Sequence, residues 1–520
     1  MADIKAATLK GDEWMLAEDL PDMSCLSLAQ LFLGSAVSNL EKSCGRNYRA
    51  CIAVQRGYTT TYYYGKRDSF LMGERIVDMI FKDPEFGHMI NREIYKRSDM
   101  LIENAKIVRK SSLAKMSNSQ LWKMRKREDV LHRELYEYGW LSNAADLFHA
   151  NFTNRLVECL EGKAGSRAKA NEMLMALTVP DKRSLLDEEA DDFLAIVAAI
   201  NADKFHKGLF EKGTIGEIEN SMKGGVKKMV IAHRRKYHHW KYLFLGQHGV
   251  YDIGHYIKEA KQIVQSGVDA GAMLKKKGIA AKDAALEKER LKRELGIERD
   301  YSEAFDIWSE FMITKVYRRN AQVINAYYHM PLLREISKRL GVSMNQMELM
   351  LLEEIEKGLN GGKVDIGMVQ ARAGLCAYYT RKGVHKIWTG DEAKKIAEKL
   401  EGRRIGKVSE LKGQCGSAGR AKGTVKIINS IPDMDKMDKG DILVSVATTP
   451  DVVPAMQKAA AIVTEQGGVT CHAAIVSREM GIPCLIGTKI ATRVFKDLDM
   501  VDVDATAGIV KKISKKVLDL

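Results

Sequence analysis

Residues that break helices are distributed very unevenly along this chain, and that asymmetry limits what it can fold into. Of its eight prolines, four (Pro432, Pro450, Pro454 and Pro483) fall in the last ninety residues. Up to about residue 400 the chain runs in long Leu-, Met-, Glu-, Lys- and Arg-rich stretches, whereas beyond it short Val/Ile runs alternate with glycine and proline. Proline removes a backbone donor and glycine costs backbone entropy, so long helices avoid both, while short strands tolerate them at their ends. The pattern predicts a multidomain α plus α/β protein. Its parts are a large, mostly α-helical N-terminal body over residues 1–400, a linker over 401–412, where Glu401-Gly-Arg-Arg-Ile-Gly-Lys-Val-Ser-Glu410 breaks the periodicity, and a C-terminal α/β domain over 413–520.

Within the first part, the β-branched and aromatic stretch from Arg49 to Gly65, with Gly57 at a turn, predicts a small β-hairpin. The remainder reads as helix. Ser117-Asn-Ser119 offers capping residues before an amphipathic run, and Phe305, Trp308, Met312, Val316, Val323 and Tyr327 recur along one side of a helix over 301–328. Such a stripe is core rather than a cofactor box. Residues 272–295 are highly charged and helix-prone, which fits a solvated helix.

An apolar fraction of 45% and a charged fraction of 29% describe a globular chain with a sizeable core. No run of 18 apolar residues occurs and the N-terminus has no signal pattern, so no membrane association and a cytoplasmic location are expected. The eight cysteines form no C-x-x-C pair, which fits reduced thiols. The net charge of +14 suits either nucleic acid or nucleotides and an acidic protein. Residues 221–250 concentrate it, with seven Lys or Arg, four histidines and no acidic residue. Three readings stay open, in this order: a solvated basic face, a patch that docks an acidic nucleotide-binding subunit, and a nucleic-acid surface. A metal site is not expected, because no Cys or Glu partner completes a zinc set.

The chemistry sits between Ala461 and Cys484. Ala461–Val463 predicts a buried strand, Gly467 and Gly468 a tight turn open to a ligand, and Thr470 the cap of a helix over 471–480 that Gly481 and Pro483 stop. His472 would then sit in the first helical turn, facing free N–H groups and the positive end of the helix dipole. A phosphoryl group on the imidazole would meet those donors and the Thr470 hydroxyl, and the dipole would favour the neutral, nucleophilic ring. Arg478, about one and two-thirds turns further on, is suited to neutralising phosphate elsewhere in a reaction cycle.

The string Gly467-Gly468-Val-Thr470-Cys471-His472-Ala-Ala-Ile-Val-Ser477-Arg478 resembles the phosphohistidine signature of the phosphoenolpyruvate-utilising enzymes. That group includes phosphoenolpyruvate synthase, pyruvate phosphate dikinase and rifampicin phosphotransferase. The likeness extends upstream through Gly423-Thr-Val-Lys-Ile-Ile, Gly440-Asp441-Ile-Leu-Val444 and Thr448-Thr449-Pro450-Asp451, and downstream to Gly508-Ile-Val. It implies a swivelling β/β/α phosphohistidine domain in which His472 is the phosphoacceptor. Gly467, Gly468, Thr470, Ser477 and Arg478 would bind phosphate, with Thr448, Thr449, Thr464 and Glu465 in support.

In that family an ATP-grasp module loads the histidine and a further site receives the phosphoryl group. Here no G-x-x-x-x-G-K-[ST] loop or strand-rich ATP-grasp pattern precedes the motif, and the sequence ends at Leu520, directly after the carrier segment. A separate ATP-grasp subunit, bringing ATP and Mg²⁺, is therefore expected. The segments 176–184, 238–242 and 334–341 resemble the helical region of the rifampicin-type enzymes, which implies a small-molecule acceptor bound in the helical body. The expected function is a phosphotransferase component resembling the synthase and dikinase. The rival readings are a non-catalytic regulatory or binding protein with a phosphorylatable or relict carrier domain, and a basic nucleic-acid-binding protein.

Overall fold

The computed structural model describes residues 13–20, 26–57, 59–242, 249–402, 410–429, 431–448, 452–465, 471–488 and 490–513. The chain divides into two compact units, Met1–Leu156 with Pro180–Leu400, and Val157–Val179 with Glu401–Leu520. Six helices carry the description that follows: α1 (Leu26–Ser38), α2 (Pro84–Lys110), α3 (Asn118–Gly139), α4 (Arg299–Leu340), α5 (Gly390–Gly402) and α6 (His472–Met480).

In the first unit the stretch 49–65 folds as β2 (Ala50–Arg56) and β3 (Thr59–Gly65), paired antiparallel. They are not an isolated hairpin. With β1 (Trp14–Leu20), β4 (Leu375–Arg381) and β5 (Val384–Thr389) they make a five-stranded antiparallel sheet in the order β1-β3-β2-β4-β5. The N-terminal part is therefore not all-α. A two-stranded hairpin cannot bury both of its faces, and this one gains cover from chain more than three hundred residues away. One face packs Ile52, Val54, Tyr63, Ala377, Tyr379 and Trp388 against Ala393, Ile396, Ala397 and Leu400 of α5. On the other face α1 covers the sheet, with Phe32 against Tyr62.

The helical part of this unit centres on α4, which runs for 42 residues, longer than the helix expected over 301–328. Of the expected stripe, Phe305, Trp308 and Val323 are fully buried and Met312, Val316 and Tyr327 partly so. Alpha4 packs along α2, and Gly87 permits the approach, since a Cβ there would lie 2.7 Å from Ile307. The cap expected near Ser117 is present as a reciprocal capping box between Ser117 and Gln120. The charged helix Ala270–Glu294 buries only Ala270 and Lys288. Lys288 anchors it, its ammonium meeting Asp181 at 3.0 Å and Asp306 at 2.9 Å. Among the described residues no helix is long and apolar enough to cross a membrane.

The second unit is built on an eight-stranded sheet: β6 (Glu410–Lys412), β7 (Gln414–Ser417), β8 (Arg420–Ile427), β9 (Ile442–Ser445), β10 (Ala461–Thr464), β11 (Cys484–Ile486), β12 (Met500–Asp504) and β13 (Ile509–Lys512), in the order β6-β13-β12-β8-β9-β10-β11-β7. Its middle, β8-β9-β10-β11, is parallel, and the flanking pairs are antiparallel. Side chains alternate between faces. Ile442, Val444, Ala461, Val463 and Leu485 join one apolar cluster, while Leu443, Ile462, Cys484 and Ile486 join the other, on which α6 packs.

Two expected boundaries shift. Residues 157–179 belong with the C-terminal unit rather than with the body over 1–400, and Met175 packs against the same apolar cluster as α6. The linker expected over 401–412 overlaps the end of α5 at 401–402 and strand β6 at 410–412, and residues 403–409 lie outside the described residues.

Candidate functional site

Helix α6 starts at His472, with Cys471 as N-cap in extended geometry (φ −73°, ψ 163°). This corrects the cap expected at Thr470 by one residue; Thr470 itself, Gly467 and Gly468 lie outside the described residues. The backbone of His472 is described and its imidazole is not. Cys471 makes no side-chain cap hydrogen bond. Burial pushes its thiol upward, while the nearby N–H groups of Ala474 and Ala473 pull the other way. The N-cap of α6 is thus a weakly accepting sulfur beside the first-turn N–H groups.

The far end of α6 is closed as the sequence predicts. Gly481 adopts φ 66°, its N–H bonds to the Arg478 carbonyl, and the N–H of Ile482 reaches the Ser477 carbonyl at 2.9 Å. That is the Schellman arrangement, which needs a left-handed residue at this position and so selects glycine.

The segment that leads into α6 leaves the carboxyl end of β10, beside those of β8 and β9, where ligands collect in open parallel sheets. Thr464 and Glu465 hold that end. The Thr464 carbonyl accepts from Thr488 N and Oγ1 at 3.0 and 2.8 Å, and the Glu465 carboxylate accepts from Thr492 N and Oγ1 at 2.8 and 2.5 Å. Both side chains are buried, so they act on the scaffold rather than on a ligand. Thr448 is also buried, and Thr449 lies outside the described residues.

Ser477 and Arg478 stand differently from what the motif implies. At about 100° per residue, Ser477 points roughly 140° away from His472 around α6, and Arg478 about 120° away in the opposite sense. Ser477 is fully buried and lowers the thiol of Cys484, which burial drives upward. Arg478 Nε donates to the Ala474 carbonyl at 3.0 Å.

Two residues outside the motif shape the site. Gly416 lies under α6: a Cβ there would meet Ala474 Cβ at 3.1 Å and Ile486 Cγ2 at 3.2 Å, so glycine sets how closely helix and sheet approach. A glycine inside a short strand, Gln414-Cys-Gly-Ser417, is the signal that could have revealed it. Asn429 Oδ1 accepts from Val446 N at 2.9 Å and from Ser445 Oγ at 3.2 Å, tying the exits of β8 and β9 together. Single polar residues in loops carry no comparable sequence signal. Among the described residues no group of three His, Cys, Asp or Glu could hold a metal, and the described cysteines are free thiols.

A helix opening on histidine, at the carboxyl ends of buried parallel strands, is a geometry that suits an anionic group. Residues 437–508 match the family described as PEP-utilising enzyme, mobile domain. A probable phosphoenolpyruvate synthase of Archaeoglobus fulgidus is 45% identical over 166 residues, which cover 32% of this chain and 20% of that protein. Another, from Methanothermobacter thermautotrophicus, is 57% identical over 100 residues, covering 19% and 15%. The phosphoenolpyruvate synthase of Pyrococcus furiosus is 55% identical over 102 residues, covering 20% and 12%. The matched part of the chain thus spans about a fifth or less of the length of these relatives. A solved chain, holo aconitase X of Thermococcus kodakaraensis, aligns over 20% of this chain and 98% of its own at 20% identity, with a TM-score of 0.17, too low to carry an inference.

Proposed function

We propose that this chain is the carrier component of a cytoplasmic phosphotransferase, with His472 moving a phosphoryl group from a separate ATP-grasp partner to a small acceptor held by the helical unit. The observation that supports this most is that His472 opens α6 within the segment matched to the mobile-domain family. In the first step a neutral imidazole nitrogen attacks phosphorus of the nucleotide. A P–N bond forms, and the P–O bond to the departing nucleotide breaks. In the second, an acceptor oxygen attacks the same phosphorus, the P–N bond breaks, and the ring leaves as neutral imidazole once a proton is returned. First-turn N–H groups, with Gly467, Gly468 and Thr470, steady the phosphoryl oxygens through both steps. Ser477 and Arg478 position α6 rather than touch phosphate. Mg²⁺ comes to the reaction with the partner's nucleotide.

The test is incubation of the full chain with ATP labelled in the β or γ position and extract from the source cells. Expected is an acid-labile, base-stable label on the wild-type chain, absent in His472→Ala and chased off by a small-molecule fraction of the extract. Equal labelling of His472→Ala would overturn the assignment. A label that no acceptor discharges would favour a regulatory role.

A further inference from the structure

In the second unit the parallel strands β8, β9 and β10 end side by side, and a run of hydrogen bonds laces their exits together. Asn429 follows the end of β8, and its Oδ1 takes the Val446 N–H at 2.9 Å, just beyond β9. Ser445 Oγ, at the end of β9, reaches the same oxygen at 3.2 Å and the Ala447 carbonyl at 2.9 Å. The Ser445 carbonyl in turn accepts at 3.0 Å from the N–H of Glu465, the residue that follows β10 and begins the segment leading into α6. Through Ser445, then, Asn429 is fixed relative to the start of that segment.

The same bonds decide which way the amide faces. A backbone N–H only donates, so the amide oxygen lies toward Val446 and the NH₂ group is turned away from it. Asn429 is exposed, and among the described residues its Nδ2 has no hydrogen-bond partner. Its backbone N–H goes to Asp433 at 3.2 Å, and that carboxylate is paired with Lys436 at 2.8 Å. As scaffold alone an aspartate would serve at least as well, since Val446 and Ser445 both donate and a carboxylate is the stronger acceptor. What asparagine adds is a pair of N–H donors, held at one orientation and without negative charge, at the carboxyl ends of parallel strands, where ligands of open α/β sheets bind. Adjacent strands lie ~4.8 Å apart, so the exits of β8 and β10 are roughly 10 Å from each other across β9. A single phosphoryl group is too small to touch both, and a chain of phosphates is long enough.

We propose that the Asn429 amide donates to a phosphate of the incoming nucleotide other than the one transferred, so that the donor must bring a polyphosphate chain rather than a single phosphoryl ester. The place of this contact in the cycle rests on the phosphotransferase reading; the polyphosphate contact itself does not.

The experiment is isothermal titration of the full-length protein with pyrophosphate and, separately, with inorganic phosphate, beside the rate at which His472 is labelled from ATP in extract of the source cells. Asn429→Asp separates ligand from scaffold, because Oδ1 still accepts from Val446 and Ser445 while the donor gives way to a second anionic oxygen. Its melting temperature should match that of wild type. Expected are tighter binding of pyrophosphate than of phosphate, a loss of about tenfold or more in pyrophosphate affinity in Asn429→Asp, as for a lost hydrogen bond to a charged group, and slower labelling of His472 in the same variant. Asn429→Ala, which also gives up the bonds to β9, should melt lower as well as bind more weakly. No heat with pyrophosphate on the wild-type chain overturns the proposal, as does undiminished pyrophosphate affinity in Asn429→Asp. Pyrophosphate binding that depends on Asn429, with no label on His472, leaves the polyphosphate contact standing and the carrier reading fallen; label on His472 with pyrophosphate binding indifferent to Asn429 does the reverse.

Discussion

Glu128 shows how much one residue can carry in the helical unit. It is 6% exposed, pairs with the equally buried Arg125, and accepts from Asn325 Nδ2 of α4 at 2.7 Å. Burial alone would raise its carboxyl, but Arg125, His132 and His329 override it and hold the group well below the usual carboxylate range. Glu128→Ala leaves Arg125 buried beside Ser27 without its counter-charge, so a loss of about 3–5 kcal/mol is expected, read as a lower urea midpoint with an unchanged slope. Glu353 offers a gentler test. It accepts from Gln30 Nε2 at 2.7 Å and meets His385 Nε2 at 2.9 Å. Burial opposes its charge, yet His385 and Gln30 bring its pKa down to about 2 from 4.5. Because the folded value is the lower one, its contribution is complete above pH 4.5 and disappears as pH falls towards 2. The carboxylate is half-exposed, so solvent limits it to about 0.5–1 kcal/mol. Glu353→Gln should be less stable than wild type by that amount at neutral pH, and the two denaturation curves should converge in acid. A gap that persists in acid would mean packing, not charge, is responsible.

At the scale of elements, what was legible followed from how local the cause is. The end of α6 could be read from Gly481-Ile-Pro483, because a Schellman turn is specified by adjacent residues. Its start was off by one, since Thr470 and Cys471 are consecutive and the better hydrogen-bonding side chain does not decide where helical angles begin. Strands β4 and β5 were not evident because their partner β2 is more than three hundred residues distant, and only Lys382 and Gly383, both at positive φ, mark the two-residue turn between them. Gly416 joins this list of non-local constraints, and it yields a direct test. Gly416→Val places branched carbons against Ala474 and Ile486 where even a Cβ is tight, and should cost about 1–3 kcal/mol by overpacking. Displacing α6 should also slow labelling of His472, by far more than Gly416→Ala does. If the valine variant labels at the wild-type rate, the close fit of helix on sheet is not what presents His472.

The whole molecule departs most from a simple reading in that the C-terminal unit is not one continuous stretch of chain. A breaker count finds the change near residue 400 and assigns everything before it to the helical body, because composition is blind to which core a helix covers. Yet Val157–Val179 groups with Glu401–Leu520, and the helix Arg167–Leu177 within it buries Ala170, Leu174 and Leu177. Met175 from that helix packs against the apolar cluster made by Leu443, Val452, Met456, Ile462 and Ala474, with Met434 and Val453 at its edge. A fragment beginning at Glu401 would therefore uncover part of the layer that supports α6, and exposed apolar surface of this kind binds hydrophobic dyes and lowers the melting temperature. The fragment should bind anilinonaphthalene sulfonate more strongly than the full chain does and melt below the corresponding transition of the full chain. Within the full chain, Met175→Ser should shift that same transition while leaving the one moved by Glu128→Ala in place, because the two substitutions fall in different units with separate cores. A fragment as stable as the intact unit, with no added dye binding, would show that 157–179 contributes nothing to the core on which α6 is packed.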